Sequence, residues 1–346
     1  MESKSIKGTT GLFNLGNTCF MSCVLQLLHG IPEISEYIIT DQYLIDIGPS
    51  KDSKDSKEFR EKSLTKEFAK LLKALSNLNG RIVPKSFYEA LITSNDMFEG
   101  FGQHDAQELL AYILDILDSS LQYNVDIECN GIAQNNLDKL VLESANHWKQ
   151  GFKNKFSIIK MLFHGQTYTT IKPINKIDDR EILSEKFEEY NMLILPIKGS
   201  TIYKTLEHFF EPEKISNYFD EKTGESIDVM RHTKLMIVPK ILILVIKRYA
   251  SSKKITTPIS FPIDEPLDFS SFCEGYDKYE CDMNLISICC HMGGLTGGHY
   301  FTITKHHSKN IWLKCDDDKI SEINIMENRL EIARAAYMLV YRASTS

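Results

Sequence analysis

Two groups of residues in this 346-residue chain have the types needed for nucleophilic chemistry, and they lie near its opposite ends. The first is Gly11–Gly30, GLFNLGNTCFMSCVLQLLHG, where a polar loop through Asn14, Gly16, Asn17 and Thr18 runs into Cys19. Met21, Leu25 and Leu28 then recur at helical spacing, with Val24 beside them. The pattern predicts Cys19 at the start of a short buried helix, facing out of its N-terminus, with Gly30 and Pro32 as stop signals. A cysteine there is a candidate nucleophile, because unpaired backbone N–H groups and the helix dipole favour a thiolate. The bland alternative is a small buried cysteine capping a core helix.

The second group begins at Gly293–Tyr300, GGLTGGHY, where four glycines precede His299. They describe a loop able to close over a slim substrate, and the strand that follows would fix the histidine. Trp312–Asp318, WLKCDDD, reads as a strand ending in acidic residues. Paired antiparallel to the histidine strand, it could bring Asp316 or Asp317 to the imidazole, setting its tautomer and stabilising the imidazolium. A nucleophile, a base and an orienting carboxylate would then meet, each at the end of an element.

The elements that must position them change character along the chain. Ile31–Ile47 reads as helix plus connector, and Gly48–Lys62 as an exposed polar insert. Leu64–Leu78 resumes helical spacing, and Pro84 and Phe87 lead into another short helix before a turn at Glu99–Gly102. Gln103–Leu121 is an amphipathic helix through Leu109, Leu110, Ile113, Ile116 and Leu117, with Asp105 and Glu108 at capping-box spacing. From about Phe163, short apolar or alternating runs predict strands at Asn191–Ile197, Leu235–Val238, Ile241–Ile246, Leu285–Cys290, Tyr300–Thr304 and Tyr337–Tyr341. Loops rather than regular helices separate most of them, which favours an antiparallel or mixed sheet over a doubly wound one. Ile202–Phe210 and Ile325–Ala335 read as isolated helices.

Composition narrows the class. The chain is 42% hydrophobic and 25% charged, with a formal net charge of −7 and no basic block, which argues against nucleic-acid binding. MESKSIKGTT lacks the apolar stretch of a signal peptide, and no run approaches a membrane span. Eight irregularly spaced cysteines do not read as a disulfide framework, so a reducing compartment, cytoplasmic or nuclear, is expected.

The motifs together resemble the catalytic domain of the ubiquitin-specific proteases, papain-like cysteine deubiquitinases. GLFNLGNTCFM is similar to that family's Cys box and GGHY…WLKCDDD to its His box. QHDAQELL resembles the Asp-containing helix motif, and Phe163–Gln166 the segment before the fingers. Pro239 with KILILVIKRY, Phe261–Pro262 and YMLVYR follow in the family's order. The resemblance runs from about Gly11 to Arg342. It implies an α+β, papain-like fold with a helical thumb and an antiparallel or mixed-sheet palm and fingers. Residues 1–346 would form one catalytic domain, with about 1–162 the thumb region and about 163–346 the fingers and palm.

The resemblance also implies roles. Cys19 would be the nucleophile, His299 the general base and then acid, and Asp316 its orienting residue. Asn14 would help stabilise the oxyanion, and Asp317 would support the site. Asp105 would meet arginines of ubiquitin's C-terminal tail, with Gln103 and His104 beside it on the substrate side. Gly297, Gly298 and Tyr300 would line the channel for the terminal Gly-Gly. The implied reaction is hydrolysis of an amide, usually an isopeptide, through a thioester, with ubiquitin and ubiquitinated proteins as partners and no cofactor. Substrate choice could be delegated to an activating or recruiting protein.

Three departures stand out. The two Cys-x-x-Cys pairs that many members carry in the fingers are missing, since no cysteine lies between Cys129 and Cys273. No zinc is expected near Ile171–Asn175 or Tyr218–Gly224, and Cys273, Cys281, Cys289, Cys290 and His291 fit no metal-ligand pattern. Ser22 and Cys23 stand where Asn-Ser is usual, and Cys315 where Phe is usual.

Overall fold

The run Ile241–Ile246 sends Ile241, Ile243 and Val245 to one core and Leu242, Leu244 and Ile246 to another. A strand apolar on both faces must be covered on both, and the chain supplies the two covers. The computed structural model describes residues 8–49, 56–100, 102–152, 155–174, 182–250, 253–276, 281–294 and 297–344. Within these the helices are α1 (Cys19–His29), α2 (Pro32–Ile39), α3 (Gln42–Ile47), α4 (Lys57–Asn77), α5 (Lys85–Ser94), α6 (Ala106–Ser120), α7 (Asn136–Phe152), α8 (Ile158–Phe163), α9 (Ile202–Phe209) and α10 (Arg329–Ala335). The strands are β1 (Thr10–Leu12), β2 (Gly80–Ile82), β3 (Gly165–Pro173), β4 (Ser184–Tyr190), β5 (Leu193–Pro196), β6 (Glu213–Asp220), β7 (Glu225–Ile237), β8 (Ile241–Lys247), β9 (Tyr249–Ala250), β10 (Lys253–Lys254), β11 (Leu267–Asp268), β12 (Asp282–Gly293), β13 (Gly298–Lys305), β14 (Trp312–Asp316), β15 (Lys319–Ile323) and β16 (Ala336–Ala343).

The main sheet runs β15-β14-β13-β12-β16-β8-β5, with β11 paired to β12; β5 lies parallel to β8, so the sheet is mixed. One face packs on α1, α4 and α6, and the other on α9 and α10. A second sheet, β4-β3-β7-β6, projects from it as the fingers. Its β6–β7 hairpin is turned by the buried Asp220, whose carboxylate accepts from Lys222 N at 3.0 Å and Thr223 Oγ1 at 3.0 Å. Among the described residues, no group of three or more His, Cys, Asp or Glu side chains is placed to hold a metal ion. The cysteines and histidine near the C-terminus are instead dispersed: Cys289 meets Cys23, Cys273 meets Cys281, Cys290 lies in the far core, and His291 turns toward Tyr249 and Lys254.

Two expectations about element bounds need correction. The polar insert ends earlier than expected, because Lys57–Lys62 forms the first turns of α4; residues 50–55 lie outside the described residues. Ser56 caps that helix by accepting from Phe59 N at 3.1 Å, and Glu58 pairs with Lys62 at 2.6 Å. The helix expected over Ile325–Ala335 begins at Arg329, because the Asn324 side chain accepts from Met326 N and Glu327 N and winds the preceding residues into a turn.

Candidate active site

The loop before α1 is organised by Asn14. Its Oδ1 accepts from Gly16 N at 2.9 Å, Thr18 N at 3.0 Å and the Thr18 hydroxyl at 3.2 Å. These three donors fix the orientation of the amide, and Nδ2 donates to Asp317 Oδ2 at 3.0 Å. The backbone on either side is anchored to the same place. Leu12 N donates to the Asp317 carbonyl at 2.9 Å, and a Cβ on Gly11 would lie 2.4 Å from Asp318 O, so only glycine lets the two segments approach. Thr18 caps α1 through its carbonyl, which accepts from Met21 N and Ser22 N at 3.0 Å each. Cys19 is the first residue of α1, as its spacing predicts. Its side chain is not turned out to solvent, however: the residue is only 4% exposed, and it sits near enough to His299 to raise that ring's pKa.

His299 lies one residue into β13, between β12 and β14. Gly298 pairs with Gly293, and Thr302 with Cys315. At Gly298 a Cβ would fall 2.2 Å from His291 Nε2 and 2.4 Å from Met292 O, so this position too admits only glycine. Of the two carboxylates that strand pairing left open, Asp316, the one the resemblance assigns, is on the imidazole: His299 Nε2 donates to Asp316 Oδ1 at 2.5 Å. Nε2 being taken, Nδ1 is the nitrogen left for Cys19. Cys19 is the largest influence raising the His299 pKa; burial opposes it, Asp316 adds to it, and the result is about 9. Burial works against the charge of Asp316, yet Lys314 and His299 hold its carboxyl below the usual carboxylate range. Asp317, in a left-handed conformation with φ 49°, turns away to Asn14.

The other predicted residues divide. Asp105 is the N-cap of α6, accepting from Gln107 N at 2.7 Å, and both its oxygens also take the Tyr337 hydroxyl at 2.8 Å. Gln103 reaches across to Gly298, donating from Nε2 to its carbonyl at 2.9 Å and accepting from its N–H at 3.0 Å. Gly297 and Gly298 therefore form a rim facing Gln103. His104 packs edge-on against Phe20 and Phe98, which makes it part of the wall beneath α1. Tyr300 is buried rather than lining an open channel: its ring lies 4.4 Å from His291 and 6.1 Å from Tyr337.

Two neighbours were given no catalytic part by the sequence. Lys314 donates to Asp316 Oδ2 at 2.8 Å. His291, 4% exposed, accepts at Nδ1 from Tyr249 Oη and Lys254 Nζ, each at 2.7 Å, and its pKa is lowered to about 4 by burial, Lys254 and His299. Alternation along WLKCD puts Lys314 on the same strand face as Asp316, a signal available beforehand.

The family model described as ubiquitin carboxyl-terminal hydrolase matches residues 10–341. The chain belongs to the ubiquitin carboxyl-terminal hydrolase family. It is 28% identical over 345 residues to ubiquitin carboxyl-terminal hydrolase Usp2 of Drosophila melanogaster, covering 97% of this chain and 35% of that protein. It is 27% identical over 364 residues to ubiquitin carboxyl-terminal hydrolase 2 of Homo sapiens, covering 100% of this chain and 57% of the relative. The chain thus spans between about a third and somewhat over half of these family members. In fold it is similar to the SAGA Ubp8/Sgf11/Sus1/Sgf73 DUB module bound to ubiquitin aldehyde, with a TM-score of 0.75, 23% identity, and coverage of 98% of this chain and 70% of that one. The same module bound to monoubiquitin gives a TM-score of 0.76 at 22% identity, with the same coverages. The α+β thumb, palm and fingers arrangement is that of this hydrolase family.

Proposed function

We propose that this chain is a thiol-dependent deubiquitinase that hydrolyses the peptide or isopeptide bond after the C-terminal glycine of ubiquitin. The observation that carries the reading is His299 held between Cys19 and Asp316, in a chain whose family is the ubiquitin carboxyl-terminal hydrolases. With the proton of Cys19 on the ring, sulfur attacks the terminal glycine carbonyl, and the developing oxyanion is met by Asn14 Nδ2 and backbone N–H groups at the start of α1. The intermediate collapses as the imidazolium protonates the leaving lysine amine, leaving a thioester on Cys19. His299 then takes a proton from water as it attacks, and the thiol and the ubiquitin carboxylate are released.

Gly297 and Gly298 suit a tail ending in Gly-Gly, and Asp105 supplies a carboxylate for arginines in that tail. The 346 residues act in this reading as one catalytic domain, about 1–162 as thumb and about 163–346 as fingers and palm. Ubiquitinated proteins are the partners, with recruitment or activation by a further protein, in the cytoplasm or nucleus where thiols stay reduced. Electrophilic probes built on ubiquitin and on related Gly-Gly-ending modifiers test it. A covalent adduct at Cys19 with ubiquitin, absent in Cys19→Ala while ubiquitin binding persists, is the expected result. Labelling by another modifier alone, or turnover retained in Cys19→Ala, would overturn it.

A further inference from the structure

We infer that Lys314 is a positioning residue for this reaction: its ammonium holds the second oxygen of the Asp316 carboxylate, so that the first stays on His299. This rests on the roles given above to Cys19, His299 and Asp316. The Asp316 carboxylate is divided between two strands, with Oδ1 2.5 Å from His299 Nε2 and Oδ2 2.8 Å from Lys314 Nζ. Asp316 ends β14, next to the left-handed Asp317, and its side chain is 31% exposed. A carboxylate so placed, with one partner only, can rotate and exchange that partner for water. A second charge-assisted bond removes the rotation.

Lysine is ordinarily a poor clamp because its stem is flexible and its charge well hydrated. Here the hairpin supplies the constraint. Lys314 stands opposite Ile303 in the β13–β14 register, so alternation puts His299, Phe301, Ile303, Lys314 and Asp316 on one face. Lys314 Nζ lies 4.4 Å from the centroid of the Phe301 ring, a cation–π seat that steers the ammonium toward Asp316. The charged and titratable groups around Asp316 are His299 from β13 with Cys19 of α1 beyond it, Lys314 from its own strand, Lys319 opposite on β15, and the neighbouring Asp317.

The test compares Lys314→Met and Lys314→Arg in the full chain, with hydrolysis of a C-terminal fluorophore from ubiquitin and a 13C NMR titration of the Asp316 carboxyl. Lys314→Met is expected to lower kcat about tenfold with KM within about twofold, and Lys314→Arg to restore most of the loss. Because Lys314 depresses the Asp316 pKa, the Met variant should titrate at higher pH and the Arg variant near the original value. Unchanged kcat, equal losses in the two variants, or an unmoved Asp316 titration would overturn the inference. If the parent chain hydrolyses nothing while the carboxyl titration still moves, the reaction assignment fails and the grip on Asp316 stands. Should the Met variant fail to fold, Lys314→Gln gives the same readings.

Discussion

The side-chain amide of Gln103 pairs with both backbone groups of Gly298, as one residue of an added strand would. It thereby ties the segment before α6 to the start of β13, one residue from His299. Two features 195 residues apart in sequence are joined there.

Removing that tie should loosen His299 without touching the core, since Gln103 and its hydrogen bonds are exposed. Gln103→Ala is expected to lower kcat/KM about tenfold and leave the melting temperature nearly unchanged. Gln103→Glu, which cannot donate to the Gly298 carbonyl, should fall in the same direction. Steady-state hydrolysis alongside thermal melts checks both, and rates equal to the parent's in both variants would refute the tie.

The pH profile follows from His299. Its pKa is raised to about 9, so in the proposed reaction the ring would keep the proton for the leaving amine until the pH rises through that value. The alkaline limb of kcat/KM is therefore expected near pH 9. Asp316→Asn removes the carboxylate from Nε2, so it should move the limb down and cut kcat by about three orders of magnitude. A limb that stays in place in Asp316→Asn would contradict the assignment.

Acid should destabilise the fold for a separate reason. His29, at the end of α1, has its pKa lowered to about 3 by burial, His307 and His306. A buried neutral histidine contributes stability above the unfolded pKa of about 6.5, and loses it as pH falls toward the folded value. The unfolding free energy from urea titrations should drop between pH 6.5 and 4, by about 1.4 kcal/mol per pH unit for each such histidine. In His29→Gln the drop should be shallower, with the remainder carried partly by His291.

Arg248 is fully buried and, among the described residues, donates to backbone carbonyls: Ala336 O at 2.5 Å, Ala333 O at 2.7 Å, Thr257 O at 2.9 Å and Ile255 O at 3.1 Å. It pins the end of α10 and the loop after β10 to the end of β8. Arg248→Met would leave those acceptors short of a donor, and a loss of at least about 3 kcal/mol is expected from chemical unfolding with an unchanged m-value. A loss below about 1 kcal/mol would show that the loop re-pairs elsewhere.

What could be read beforehand depended on burial. The α1 and α6 starts were legible because their apolar spacing and cap residues act locally, and the palm strands because Ile241–Ile246 and Leu285–Cys290 are apolar enough to be nothing else. The fingers were not: β4 reads SEKFEEY and β6 reads EKISNYFD, and much of both strands faces solvent, so no apolar alternation marks them. Helix α7 was missed because it buries little, although Asn135 and Asp138 exchange capping bonds at its start. At the site, Cys19, His299 and an acidic partner were foreseeable as types. Strand pairing alone left Asp316 and Asp317 open and only the family resemblance chose Asp316, because the choice turns on the left-handed bend after β14 and on the pull of Asn14.

The bond from Asn14 to Asp317 joins residues 303 apart, and the Leu12–Asp317 bond reinforces it. Synthesis must therefore pass residue 317 before the loop that carries Cys19 can dock where these bonds hold it. Under the proposed mechanism, a nascent or truncated chain that ends before that point carries Cys19 without His299 docked beside it, and is expected to hydrolyse nothing.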